Sequence, residues 1–265
     1  MFPDAGGDVA PRLAEAIRAA VRRCLGDSSE AAVAFSGGLD SSLLALLVHG
    51  EGRGLSLYTV GLPRARDLAQ ASKAASLLGL EESLLRIVVD EGEVLEAAGR
   101  LRGLFPDATD VEVAFALPLF LVCRRASQRL VLTGDGADEL FGGYHRYLSM
   151  GPSVLEAALA ADLQRLLSTT LPRHRLVARS LGHELGAPYT DDGVVALARA
   201  IPAGVNVAGG ERKLALRTVA ALLGLPAELC SAPKRAAQYG SGVARALERR
   251  RPAAERTGGG RPQSP

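Results

Sequence analysis

SGGLDSS, residues 36–42, follows directly on the apolar run AAVAF at 31–35 and leads into LDSSLLALLVHG at 39–50. A buried strand that turns into a helix needs one glycine at most, so the crowd of small residues around one carboxylate has another cause. Close approach of a ligand to the backbone is such a cause, and at the carboxyl end of a strand the usual visitor is a phosphate. Backbone N–H groups freed by Gly37 and Gly38, the hydroxyls of Ser36, Ser41 and Ser42, and the positive helix end together make an anion site. Neither GxxxxGK[ST] nor GxGxxG occurs in the chain, which excludes a Walker-type loop and a dinucleotide fingerprint. Asp40 is the odd member, because a bare carboxylate repels phosphates unless a cation lies between them. Magnesium, which takes a few carboxylates together with phosphate oxygens, meets that need.

Working outward, LSLYTV (55–60), SLLRIVV (83–89) and RLVLT (129–133) are further strand-like runs. Helical stretches separate them: ARDLAQASKAASLLG and VEVAFALPLFLVCRRA, with PRLAEAIRAAVRRCL (11–25) ahead of the first strand. Buried strands alternating with helices predict an α/β fold, a doubly wound parallel sheet with right-handed crossovers. From about residue 151 the pattern reads as helices only, as in SVLEAALAADLQRLL and ERKLALRTVAALLG. The expected organisation is a nucleotide-binding region over 1–150, a helical acceptor-site region over 151–245, and a disordered basic tail over 246–265.

The 265 residues carry a net charge of +2, and the last twenty hold five Arg against two Glu, so the body is close to neutral. That balance argues against a nucleic-acid footprint. The longest apolar run, VAFALPLFLVC at 113–123, is too short to span a bilayer, and the start, MFPDAGGD, lacks the features of a secretory signal. A cytoplasmic location is expected. Cys24, Cys123 and Cys230 form no CxxC pair and read as packing residues.

A second acidic, glycine-rich turn, LTGDGADELFGGY (132–144), follows the fourth strand and holds Asp135, Asp138 and Glu139. With the first and fourth strands as neighbours, Asp40 and Asp138 could share one magnesium.

SGGLDSS resembles the pyrophosphate loop of the ATP pyrophosphatases, and its pairing with GDGADELFGGY resembles the synthetase domain of the asparagine synthetase family. The resemblance runs from the helix near residue 11 to about 243, ending in APKRAAQYGSG (232–242). It implies that Ser36, Gly37, Gly38, Ser41 and Ser42 bind pyrophosphate, and that Asp40 and Asp138 hold magnesium. Gly134 would border the ATP, and backbone groups near Val60 and Gly61 would hold the adenine. Asp135 would stand near the reacting carboxylate, Lys234 would face the phosphates during adenylation and amine attack, and Glu184 and Asp191 would close the acceptor pocket.

The activity implied is an ATP-dependent amide ligase that adenylates a carboxylate, by default aspartate, releases pyrophosphate and transfers ammonia or another amine. A related ATP pyrophosphatase with a different acceptor, an antibiotic precursor or a nucleoside, is the alternative, and a nucleotide-binding module without turnover is a third. Two departures from the family pattern stand out. Phe2 occupies the place of the glutaminase cysteine, so ammonia is expected free or from a separate glutaminase subunit. Gly186 stands where the pattern has an arginine, which puts the acceptor in question.

Overall fold

The computed structural model describes residues 9–232, 241–244 and 247. AAVAF forms the middle strand of the sheet because its side chains alternate between two apolar layers. The strands are β1 Glu30–Ala34, β2 Gly54–Gly61, β3 Leu84–Val88, β4 Leu130–Leu132 and β5 Glu184–Gly186. All pair in parallel, in the order β3-β2-β1-β4-β5.

Helix α1, Val9–Leu25, precedes the sheet, and α2 Leu39–Gly50, α3 Arg66–Leu78, α4 Glu91–Leu104 and α5 Asp110–Cys123 occupy the crossovers. Between β4 and β5 lie α6 Ala137–Phe141, α7 Pro152–Arg165 and α8 Leu171–Ser180; α9 Asp192–Arg199, α10 Ala203–Asn206, α11 Leu214–Leu222 and α12 Ala227–Cys230 follow. Ala31 and Val33 point into a core shared with Leu13 and Ile17 of α1, Leu43 of α2 and Leu216 of α11. Ala32 points the other way, to Val94 of α4, Phe120 of α5 and Val177 of α8. Capping boxes at Asp90 with Glu93 and at Thr109 with Glu112 fix where α4 and α5 begin.

The doubly wound parallel sheet agrees with the sequence reading, with one correction. The region after 151 is not helical throughout, since β5 comes from it and completes the sheet beside β4. ELG carries no apolar run that would announce a strand; the open edge of β4 recruits it through Glu184 N–H to Arg129 O and Thr133 N–H to Gly186 O, both within 2.9 Å. Helices α9 and α11 also pack against α1, so residues after 151 build the same body as the sheet. Among the described residues no helix is long and apolar enough to cross a membrane. The basic tail lies outside the described residues, apart from Leu247.

Gly186 explains how closely α1 approaches the sheet. A Cβ there would run into Leu132 Cδ2 and sit 3.2 Å from Cys24 Cβ. Gly186→Ala is therefore expected to lower stability by about 1–3 kcal/mol, as overpacking does. Gly99→Ala, in open space on α4, should instead raise stability by about 0.5–1 kcal/mol. Thermal unfolding of the two variants checks the pair of signs.

Candidate active site

The strand order places β1 and β4 side by side at the point where connections leave in opposite directions, the crevice position of doubly wound sheets. SGGLDSS leaves the carboxyl end of β1, and TGDGADE leaves that of β4. Gly134 lies against Asp40, where a Cβ would come to 3.2 Å from that of the aspartate.

The first loop is braced from within. Gly37 adopts φ of +70°, and a side chain there would come to 2.7 Å from Gln70 O on α3, so both backbone and packing demand glycine. Ser41 Oγ lies 3.3 Å from Ser36 Oγ, accepts from Ser36 N–H and donates to Gly38 O. The buried Ser42 hydroxyl makes no hydrogen bond among the described residues. Gly38 caps α2, and Asp40 sits in its first turn.

What joins the two loops is a lysine that the sequence reading missed. Lys213, 1% exposed, places its ammonium 2.6 Å from both Asp40 oxygens and 2.6 Å from Asp138 Oδ1. It begins α11 with a left-handed φ of +58°. Gly143 makes room for it, because a Cβ there would fall on Asp138 Oδ1 and Lys213 Cε. Arg212 adds a hydrogen bond to Gly143 O at 2.6 Å, and Arg217 holds the carbonyls of Arg212, Cys230 and Ala232. One signal was present in ERKLALR: Lys213 lies three and seven residues before the buried Leu216 and Ala220, in phase with the inner face of α11.

Of the two cavities described at these loops, the larger, about 540 Å³, opens beside the second loop. Gly134, Asp135 and Asp138 form its floor, Phe105, Val111 and Phe115 an apolar wall, and Arg146, Arg165 and Arg173 a basic one. Leu166, Thr169 and Thr170 enter from Leu166–Thr170, a π-helical turn between α7 and α8, a distortion frequent at functional sites. Across the loop a smaller cavity, about 70 Å³, is bordered by Ser36, Val60, Asp67, Pro118 and Ser241.

The large cavity contains a buried ion pair that the sequence reading also missed. His174 Nδ1 lies 2.9 Å from Asp135 Oδ2, which also accepts from Thr133 Oγ1 at 2.8 Å. Burial alone would discharge the imidazole, but the charge and hydrogen bond of Asp135 outweigh it and raise the His174 pKa. Burial likewise opposes ionisation of Asp135, yet the charge and hydrogen bond of His174, with the Thr133 hydroxyl, bring its pKa below the usual carboxylate value. Glu139 behaves in the opposite way. Burial, reinforced by the charge of Asp138, pushes it up to about 7 despite a 2.5 Å hydrogen bond from Tyr144.

The other expected residues distribute unevenly. Val60 borders the small cavity, whereas Gly61 turns toward α3, where a Cβ would lie 2.6 Å from that of Ala65. Glu184 is a correction: it starts β5, at the amino end of the strands, and pairs with Arg129 at 2.7 Å in solvent. Asp191 caps α9 and pairs with Arg23 at 2.7 Å. The APYT segment instead supports the loops from behind, with Tyr189 OH donating to Asp40 O at 3.0 Å and Thr190 beside Gly136. Gly186 faces Leu132 and Cys24 and borders neither cavity described. Lys234 lies outside the described residues.

The family model for asparagine synthase matches residues 12–154 and 148–261. The chain belongs to the asparagine synthase family. A Methanocaldococcus jannaschii protein assigned as asparagine synthetase [glutamine-hydrolyzing] 1 is 30% identical over 248 residues, covering 78% of this chain and 45% of that protein. Carboxyethyl-arginine beta-lactam-synthase of Streptomyces clavuligerus is 27% identical over 249 residues, covering 92% and 47% respectively. Asparagine synthetase domain-containing protein 1 of Mus musculus is 35% identical over 143 residues, 51% of this chain and 23% of that one. The family chain thus spans less than half the length of each of these relatives. Among solved structures, an NAD+ synthetase from Burkholderia pseudomallei aligns with 71% of this chain and 86% of its own at 17% identity and a TM-score of 0.33, a likeness too slight to bear on function.

Lys213→Met removes the only ammonium described between two partly buried carboxylates, a change that costs about 3–5 kcal/mol when a buried pair loses one partner. The melting temperature should drop by roughly 10 °C in a chain of this size. An unchanged melting curve would show that the clamp contributes nothing to the fold.

Proposed function

We propose that this chain is an ATP-dependent amide ligase that adenylates a carboxylate, releases pyrophosphate and passes the acyl group to ammonia or another amine. One observation carries the reading: Asp40 and Asp138, from two different loops, lie within 2.6 Å of a single cationic nitrogen. The lone pairs that these carboxylates do not give to Lys213 would fit a magnesium ion that also takes phosphate oxygens. The anion site of Gly37 and Gly38 adjoins them, and a cavity lies on either side.

ATP with magnesium, when bound, supplies an α-phosphate that turns a carboxylate oxygen into a leaving group. The backbone N–H groups of the first loop, with Ser36, Ser41 and Ser42, would bind the β- and γ-phosphates, while Asp40 and Asp138 hold the metal. Val60 and the smaller cavity would take the adenine side. Gly134 and Asp135 border the larger cavity, where the carboxylate would approach the α-phosphate. Lys213 keeps both loops in register, and Lys234 would neutralise charge on the departing pyrophosphate.

A second reading of the acceptor is favoured by the size and lining of the larger cavity. Its volume falls in the range that takes a drug-sized ligand, and Phe105, Val111 and Phe115 offer apolar contact that aspartate does not use. An acceptor larger than aspartate, of the antibiotic-precursor kind, fits that wall better.

Incubation with ATP, magnesium, ammonium and a panel of carboxylates of increasing size should yield AMP and pyrophosphate in equal amounts. Asp40→Asn and Asp138→Asn should each reduce turnover by about a hundredfold or more, the loss expected for one transition-state charge partner. ADP and orthophosphate as products would overturn the reading.

A further inference from the structure

His174 carries a second ring nitrogen that the cavity leaves available. Its Nδ1 is engaged by Asp135 Oδ2 at 2.9 Å, and its Nε2 makes no hydrogen bond among the described residues. The ring borders the larger cavity and is 7% exposed. Asp135 Oδ2 is fixed in turn by Thr133 Oγ1, and Thr133 is tied to β5 through its N–H to Gly186 O at 2.9 Å. When the ring is neutral, a carboxylate that accepts from Nδ1–H leaves the lone pair on Nε2. Base, orienting carboxylate and rigid support thus form the arrangement that activates attacking groups in acyl transfer.

We propose that His174 is the catalytic base of amide formation: Nε2 takes the proton of the attacking amine, and Asp135 orients the ring through Nδ1. The proposal rests on the ligase reading above. The amine lone pair forms the C–N bond at the acyl carbon of the adenylate. The bond from that carbon to the phosphate oxygen breaks, its electron pair leaves with AMP, and the proton released from nitrogen goes to Nε2. The imidazolium so formed faces the Asp135 carboxylate, which offsets its charge without itself taking the proton.

Charged and titratable groups around the pair support this assignment. Asp138 and Glu139 of α6 line the same cavity, and Glu139 adds to the upward shift of His174. Glu112 of α5 is 2.8 Å from Arg173, the neighbour of His174 on α8, and Arg173 also pairs with Asp107. Arg146 and Asp162, across the cavity with Tyr144, neutralise each other. Burial opposes the imidazolium, but the charge and hydrogen bond of Asp135, with the charge of Glu139, outweigh it and hold the His174 pKa above that of an ordinary histidine, so the ring readily takes a proton that the amine gives up.

The test separates the two half-reactions. Exchange of labelled pyrophosphate into ATP, supported by the acceptor carboxylate, reports adenylation; amide release reports the second step. His174→Asn keeps a donor toward Asp135 but loses the base. It should leave exchange within about threefold of wild type while amide formation falls by about a hundredfold or more. His174→Gln guards against a folding defect in the first variant and should behave in the same way.

In the wild type, amide formation should decline toward acid as His174 becomes protonated. Asp135→Asn should move that decline to lower pH, with a parallel fall in the His174 titration followed by nitrogen-15 NMR of the four labelled histidines. A parallel loss of exchange and amide formation in both His174 variants, or an acid limb unmoved by Asp135→Asn, overturns the proposal. Absence of exchange by the wild type with every carboxylate overturns the ligase reading itself and the proposal with it.

Discussion

A buried ammonium between two carboxylates holds this site together. Lys213 reaches Asp40 at the start of α2 and Asp138 in α6 at 2.6 Å each, and neither contact survives if the two loops move apart. Much of the nearby architecture follows from that requirement. Gly143 has no side chain because one would strike the clamp, Gly134 lets the second loop lie against Asp40, and Tyr189 fixes the Asp40 carbonyl from behind. Such a buried arrangement gains little stability over an apolar one of equal shape, but loss of one member is costly. Its value here is positional: it brings carboxylates from two distant parts of the chain to one point.

Topology makes the clamp possible. Connections from β1 and β4 diverge at the centre of the sheet, so the loops that leave these strands face each other across a crevice at the carboxyl edge. Under the ligase reading the nucleotide side would be the smaller cavity, bordered by β1, β2 and α5, and the acceptor side the larger one, bordered by α5, α7 and α8. Under the ligase reading, an α-phosphate at the junction is reachable from both flanks, which adenylation followed by amine attack requires.

Local features were legible in the sequence because local physics dictates them. SGGLDSS announced the turn from β1 into α2, LDSSLLALLVHG matches α2 from first residue to last, and alternation of apolar runs with helices gave the parallel sheet. Features set by distant contact were not legible. ELG has no strand propensity of its own and pairs only because β4 offers an edge. Glu184 resembled a pocket acid by its motif, yet the register of β5 puts it at the opposite end of the strand. Lys213 sits among the charged residues of GGERK, where burial has no sequence mark beyond its helical phase. His174, in LPRHRL, gained meaning only when α8 brought it to Asp135.

The orientation of the bound nucleotide tests the central claim most directly. A crystal structure with an ATP analogue that cannot be cleaved between the α- and β-phosphates, with magnesium, should show the β- and γ-phosphates on the backbone of Gly37 and Gly38. The α-phosphate should face Asp135 and the larger cavity, with the metal on Asp40 and Asp138 beside the Lys213 ammonium, not in its place. A nucleotide bound the other way round, with its γ-phosphate directed at Asp135, would contradict the account.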